Sequence, residues 1–188
     1  GMKEFIYEIE AQEGIAELPK IRESRMEDKE TIFARSDEPF IKEINRILEE
    51  IDALVGLVNV KKEIHDTVNL LIVQKIREMK GFKTTNVTRH MVFMGNPGTG
   101  KTTIARKLGD IFKHLEILKN GHLVEVDRSA LVSSEMGKTA ENVRKYANEA
   151  MGGVLFIDEA YALASDIEGD YGQEAIDTLL KIMEDERE

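Results

Sequence analysis

Two short segments carry residue types at spacings that can do chemistry. The first is Gly95-Asn96-Pro97-Gly98-Thr99-Gly100-Lys101-Thr102, which fits the pattern G-x-x-x-x-G-K-[ST]. Its glycines permit a tight backbone turn that can aim N–H groups at phosphate oxygens. A helix starting at the loop's end turns its positive dipole end toward the same anion. In such a loop Lys101 reaches the β- and γ-phosphates, the Thr102 hydroxyl is a Mg2+ ligand, and Thr103 is placed for the α-phosphate. The second segment is Val154-Leu155-Phe156-Ile157-Asp158-Glu159, an apolar run ending in two carboxylates. Alone it reads as an ordinary solvated strand end. Some 60 residues after a phosphate loop it gains a specific sense, because ligands of open α/β sheets bind at the carboxyl ends of the strands. Asp158 can then hold Mg2+ through water, and Glu159 can orient and deprotonate the water that attacks the γ-phosphate.

A third, weaker element is Leu54-Val55-Gly56-Leu57, between two helical patterns. Glycine there lets the backbone approach a flat ring between apolar neighbours, although Gly56 alone reads as a helix stop. The four His residues (65, 90, 114 and 122) show no i, i+4 pair, so they do not suggest a metal site.

The pattern around these residues alternates between strand and helix. HMVFM (90–94) reads as a strand buried on both faces, followed by the loop and a helix over about 101–118 with Ile104, Leu108, Ile111, Phe112 and Leu115 inward. HLVEV (122–126) is a second strand, and Thr139 can cap a helix carrying Val143, Tyr146, Ala147 and Ala150. GVLFI (153–157) is a third strand, and the helix over 172–185 turns Ile176, Leu179, Leu180 and Met183 inward. Strands separated by helices indicate a parallel α/β sheet with right-handed crossovers. Upstream, Ser36 or Asp37 can cap a helix with Pro39 in its first turn and Ile41, Ile44, Leu48, Ile51 and Val55 on one stripe. Asn59 can cap a second, with Val60, Ile64, Val68, Leu71, Ile72 and Met79 inward and Gly81 at its end. Residues 1–36 are acidic and poor in apolar groups; only Phe5, Tyr7, Ile9 and Ala11, alternating with glutamates, suggest a short strand. The expected organisation is an extension or linker over 1–36 and an α/β body over 37–188.

The 188 residues carry a net charge of −10 and no Cys. The charge disfavours non-specific nucleic-acid binding. The lack of Cys excludes disulfides and thiolate chemistry and fits a reducing, cytoplasmic setting. No run approaches 18 apolar residues, so no membrane span is expected. The Gly preceding Met2 has the look of a scar left by tag removal.

With both phosphate motifs placed, the sequence resembles the AAA+ ATPases, in the branch that includes stage V sporulation protein K, the red-type rubisco activase CbbX and the ATPases of type VII secretion. The resemblance rests on LVGLVNVKKEI (54–64), HMVFMGNPGTGKTTIAR (90–106), GHLVEVDRSALV (121–132), GGVLFIDEAYAL (152–163) and DYGQEAIDTLLKIMED (170–185), and covers about residues 50–188. It implies ATP and Mg2+ as ligands. Val55, Gly56 and Leu57 would contact adenine, and Asn96, Pro97, Gly98, Thr99, Gly100, Lys101, Thr102 and Thr103 would bind phosphates. Thr102 and Asp158 would serve the metal, with Lys101 and Glu159 as the catalytic pair. It also implies a ring of copies, usually six, that remodels a protein partner. A GTPase would need an Asn-Lys-x-Asp segment, which is lacking.

Two departures from the family pattern set further expectations. Where the family often has LVGEYIGHTA, with an aromatic residue that grips substrate in the central pore, residues 131–140 read LVSSEMGKTA, with Glu135 at the aromatic position. Threading is then expected to be weakened, altered or absent, which leaves a non-catalytic switch or scaffold as the alternative to a remodelling ATPase. The family's sheet order is 5-1-4-3-2, and the sequence to Glu188 supplies three of those five strands. The P-loop sheet is therefore expected to be incomplete, with nucleotide bound at best and hydrolysed poorly. The gap is expected to close by direct contact of the first and third strands, by a swapped dimer, or by a partner.

Overall fold

The computed structural model describes residues 4–8, 38–84, 90–164 and 171–185. The chain divides into two compact units, one of residues 1–11 with 87–188 and one of residues 12–86.

The first unit is built on a four-stranded parallel sheet. In chain order its elements are β1 (Glu4–Glu8), β2 (Met91–Phe93), α3 (Lys101–His114), β3 (Leu123–Val126), α4 (Arg128–Leu131), α5 (Lys138–Glu149), β4 (Val154–Ile157), a 3₁₀ turn (Ala160–Leu163) and α6 (Gly172–Asp185). The strand order is β2-β1-β4-β3. All three strands expected in the α/β body are present. The gap between the first and third of them is closed in a way that none of the expected arrangements anticipated. The chain's own strand β1 lies between β2 and β4, with Ile6 opposite both Met91 and Phe156 and Tyr7 opposite both Val92 and Ile157. The continuation of the expected strand to Ile9 and Ala11 lies outside the described residues.

β4 is the core strand, with Val154, Leu155, Phe156 and Ile157 fully buried. On one side chain cluster Leu155 and Ile157 pack with Val126, Leu131, Val143, Leu163, Ala175 and Leu179. From α3, Ile104, Leu108, Ile111, Phe112 and the following Leu115 are all buried, as their spacing predicts. The expectation that β2 is buried on both faces does not hold. Val92 is 52% exposed and Met94 is exposed as well, because β2 is an edge strand and pairs, among the described residues, with β1 alone.

Local corrections follow the same logic. Thr139 does not cap α5. Gly137, at φ 75°, takes that position, and the fully buried Thr139 hydroxyl instead accepts from the Ser133 N–H (3.0 Å), pinning the preceding loop. Leu180 is exposed rather than inward, one residue past the buried Leu179.

The second unit contributes helices α1 (Pro39–Asp52) and α2 (Val58–Met79). Pro39 opens α1 from Glu38, which holds the cap position without a side-chain bond; Ser36 and Asp37 lie outside the described residues. Ile41, Ile44, Ile47, Leu48 and Ile51 form the buried stripe. Val55 falls past the helix end and is 98% exposed, so the stripe stops one turn short of the expectation. α2 begins one residue before Asn59, after a left-handed Leu57 (φ 59°). Its buried residues are Ile64, Val68, Leu71, Ile72 and Ile76, while Met79 is exposed in the last turn. Gly81 (φ 77°) closes the helix as expected, with Phe82 N–H donating to the Arg77 carbonyl at 3.0 Å.

Candidate functional site

β2 and β4 run parallel, so the segments leaving their carboxyl ends emerge at one edge of the sheet. After β2 comes the loop 95–100; after β4 come Asp158 and Glu159. One strand, β1, lies between them, which sets the two strand ends about 9–10 Å apart, twice the inter-strand spacing. That span suits a polyphosphate held at one end and approached by a water at the other.

The loop has the conformation its glycines allow. Gly98 and Gly100 sit at φ 76° and 91°, and a Cβ built on either meets nothing within 4 Å. The space beside these two residues is therefore open, and the positive φ of the backbone, not steric filling, asks for glycine. Thr99 Oγ1 donates to the Asn96 carbonyl at 2.8 Å and stiffens the turn. Asn96, Pro97, Gly98 and Thr99 are exposed. Gly100 is the N-terminal flank of α3, whose first residues are Lys101, Thr102 and Thr103. Lys101 Nζ donates to the carbonyls of Gly95 (2.7 Å) and Asn96 (3.0 Å), folding its ammonium back over the loop. An anion bound at the loop would compete with those carbonyls for the ammonium.

On the other strand, the Asp158 N–H donates to the Val126 carbonyl at 2.8 Å, locking the end of β4 to β3. The Glu159 N–H donates to Asp158 Oδ1 at 3.1 Å. Glu159 is exposed and adopts φ 50°, a left-handed conformation that is uncommon for a residue with a Cβ and turns the chain sharply out of the sheet. Arg128 Nη1 donates to the Ala162 carbonyl at 2.6 Å and ties the following 3₁₀ turn to α4. The turn that presents Glu159 is thus anchored at both ends.

Glu125 belongs to neither sequence motif. It is the exposed member of β3, and its Oε1 accepts from Thr102 Oγ1 at 3.3 Å while Oε2 lies 4.0 Å from Arg106 Nη2. A hydroxyl that donates its proton to a carboxylate leaves its lone pairs free for a cation. The available signal was a lone charged residue inside the apolar run HLVEV. Asp127, likewise outside both motifs, caps α4: its carboxylate accepts from Ser129 Oγ (2.7 Å) and from the Ala130 N–H (3.0 Å). These bonds, the serine hydroxyl's first, hold its carboxyl below the usual carboxylate range.

The donor set fits a Mg2+–nucleotide. An ammonium and an open glycine cradle stand on one side, and a hydroxyl and carboxylates stand at the same sheet edge. Among the described residues no cluster of three His, Asp or Glu stands together that could hold a metal ion. Val55, Gly56 and Leu57 lie between α1 and α2 in the second unit, with Gly56 at φ 76° and open space where a Cβ would stand. Glu135 and Met136 lie on the loop before α5; Met136 is 91% exposed.

Comparison with known proteins gives a consistent result. Residues 91–188 match the family model described as ATPase family associated with various cellular activities (AAA). The chain is 45% identical over 147 residues to stage V sporulation protein K of Bacillus subtilis, covering 78% of this chain and 45% of that protein. It is 49% identical over 144 residues to protein CbbX of Cereibacter sphaeroides, covering 76% of this chain and 47% of that protein. It is 47% identical over 148 residues to the chloroplastic ribulose bisphosphate carboxylase/oxygenase activase of Cyanidioschyzon merolae, covering 78% and 50% respectively. The chain thus spans about half the length of the curated relatives it matches.

Proposed function

The chain belongs to the AAA family of ATPases, and from that premise we propose that it is the nucleotide-binding part of a Mg2+-dependent ATPase that remodels a protein partner. The observation that carries this reading is the pairing of an open glycine cradle under Lys101 with the Asp158–Glu159 turn at the same edge of one parallel sheet.

In this reading the N–H groups of the loop 96–103 bind the phosphates. Lys101 leaves the Gly95 and Asn96 carbonyls to meet the β- and γ-phosphate oxygens, which bind the ammonium more strongly than neutral carbonyls do. Thr102 and Asp158 hold the Mg2+, which when bound neutralises charge on the transferred phosphoryl group. Thr102 is oriented for that task by its proton bond to Glu125. Glu159 holds a water in line with the γ-phosphate and takes its proton. The exposed position of Glu159 leaves room for that water and for a group from a second copy.

Val55, Gly56 and Leu57 contact adenine in this proposal, and residues 37–188 are the N-terminal part of the large α/β subdomain. A protein partner is supported by the names of two relatives, an activase of ribulose bisphosphate carboxylase/oxygenase and a sporulation protein. The working form is a ring of copies, six in our reading, acting in the cytoplasm; no described helix is long and apolar enough to cross a membrane. Glu135 in place of an aromatic residue argues for a grip on substrate by means other than ring stacking. The test is titration of the chain with Mg-ATP, with Mg-GTP and the Lys101→Ala variant as controls. Lys101-dependent binding that prefers ATP supports the reading, and equal binding by Lys101→Ala refutes it.

A further inference from the structure

Glu159 stands in a conformation that its residue type does not favour. With φ 50° and ψ 41°, a residue carrying a Cβ lies in the left-handed region. Such a conformation costs energy and persists only where the surroundings over-determine it. Upstream, the sheet supplies that constraint. The Asp158 N–H donates to the Val126 carbonyl at 2.8 Å, and the Glu159 N–H donates to Asp158 Oδ1 at 3.1 Å. Downstream, the chain enters a four-residue 3₁₀ turn, a form whose hydrogen-bond geometry is poorer than that of an α-helix.

One residue of that turn is bonded in both directions. The Ala162 N–H donates to the Glu159 carbonyl at 2.8 Å, which closes the turn on Glu159 itself. The Ala162 carbonyl accepts from Arg128 Nη1 at 2.6 Å, a short, charge-assisted bond across 34 residues of chain. Arg128 therefore acts on the Glu159 backbone through a single peptide unit. The guanidinium has little room to withdraw. Arg128 opens α4, whose start is fixed by the Asp127 cap. From the other side, the buried Gly172 at the start of α6 closes over the pair. A Cβ at 172 would stand 2.8 Å from Arg128 Nη1 and would collide with the Leu163 carbonyl oxygen, so glycine is required there by close approach.

We propose that Arg128 is a positioning residue for ATP hydrolysis. By bracing the Ala162 carbonyl, it holds Glu159 in the left-handed turn from which the carboxylate meets the attacking water. The catalytic consequence rests on the role proposed above for Glu159; the brace itself does not. Without the brace, the strained residue relaxes toward right-handed or extended backbone and its carboxylate is re-aimed. The phosphate loop leaves a different strand, β2, and its bonds from Lys101 and Thr99 do not involve the brace. Loss of Arg128 should therefore impair hydrolysis and spare nucleotide binding. A lysine at 128 can reach a carbonyl but lacks the planar fork, so it should restore the function in part.

The brace is tested by amide hydrogen exchange on the 188-residue chain and its Arg128→Met variant, without nucleotide. Methionine keeps an apolar stem and removes every donor. Exchange across 159–164 is expected to accelerate by about tenfold or more while α3 and α5 keep their protection. Unchanged exchange there overturns the brace, and so does a loss of protection spread evenly over the sheet and its helices.

The catalytic half is tested by ATP hydrolysis in the assembled full-length protein. Arg128→Met is expected to lower kcat by about 10–100-fold, the cost of a misplaced catalytic group, with Mg-ATP affinity kept within about threefold. Arg128→Lys should recover part of the loss. In a Glu159→Gln background, Arg128→Met should change the residual rate by less than about twofold, because a residue that acts through Glu159 has nothing left to position. Unchanged kcat in Arg128→Met overturns the positioning role. An equal further loss in the Glu159→Gln background overturns it in favour of a general structural effect, as does a matched fall in affinity. If Glu159→Gln by itself leaves hydrolysis intact while exchange across 159–164 responds as expected, the role proposed for Glu159 is overturned and the brace stands.

Discussion

Gly109, in the middle of α3, offers a sharp test of how the helix behind the phosphate loop is seated. By helix propensity alone, Gly109→Ala should stabilise the protein by about 1 kcal/mol. The tertiary contacts oppose this. A Cβ at position 109 would stand 2.7 Å from the Gly121 carbonyl oxygen and 3.3 Å from Val154 Cγ2. The first contact is with backbone that cannot easily retreat, since the N–H groups of Asn120 and Gly121 both donate to the Gly152 carbonyl, at 2.8 and 3.1 Å. The second is with the fully buried first residue of β4. Overpacking of this kind costs about 1–3 kcal/mol, and a pinned backbone partner places it in the upper half of that range. The packing cost therefore wins, and the net loss is about 1–2 kcal/mol, or about 2–8 °C in Tm for a chain of this size. Because α3 starts at Lys101, part of that strain is relieved by moving the phosphate loop, so Mg-ATP affinity should fall as well. Thermal and urea denaturation of the variant beside the parent, together with nucleotide titration, make the measurement. A variant that melts higher than the parent would falsify the close-packed seating of α3 on the turn before β3.

Other substitutions divide the site by role. Glu159→Gln should retain Mg-ATP binding within a few fold while hydrolysis by the assembled full-length protein drops by about 10²–10⁴, the usual worth of a general base; matched losses in both would mean that Glu159 binds rather than activates. Glu125→Ala should raise the Mg2+ concentration needed for ATP binding by about 2–10-fold, the value of one modest hydrogen bond, and Glu125→Gln should recover part of it; an unchanged Mg2+ requirement removes Glu125 from the site. Asp127→Ala should cost about 0.5–1 kcal/mol at pH 7, the lower part of the capping range for an exposed cap. Asp127 has a folded pKa held below its unfolded value, so its contribution is full above the ordinary carboxylate pKa and is lost as pH falls through the folded one. The stability gap between parent and Asp127→Ala should accordingly narrow below about pH 4, and a gap independent of pH would contradict the cap assignment.

The chemistry was legible in the sequence because it is local. A phosphate loop needs glycines, a lysine and a hydroxyl within eight consecutive positions, and Gly95–Thr102 supply them in order. The helices were legible where their apolar period is long, as along Ile104, Leu108, Ile111 and Phe112, and β4 was legible as an unbroken apolar run because it is buried on both faces. Errors gathered at helix ends. Asn59 and Thr139 have capping side chains, but the backbone at Leu57 and Gly137 turns left-handed just before them and sets each boundary earlier.

Pairing is where sequence information gave out. Nothing local in Glu4–Glu8 says that this strand enters the middle of the sheet, since a strand's partners are fixed by contacts remote in the chain. Nor does HMVFM announce that β2 is an edge, because an apolar run is compatible with either place. Glu125 belongs to the site for the same reason: 23 residues separate it from Thr102 in the chain, and the crossover from β2 through α3 to β3 brings the two carboxylate and hydroxyl oxygens within 3.3 Å. The sequence by itself determined which residues are candidates for binding phosphate, holding a cation and activating water, because that candidacy is a property of residue types a few positions apart. Only the tertiary structure decided how far apart the two halves of the site stand and which strand holds them there, because that spacing is set by the sheet's ladder and not by any single segment.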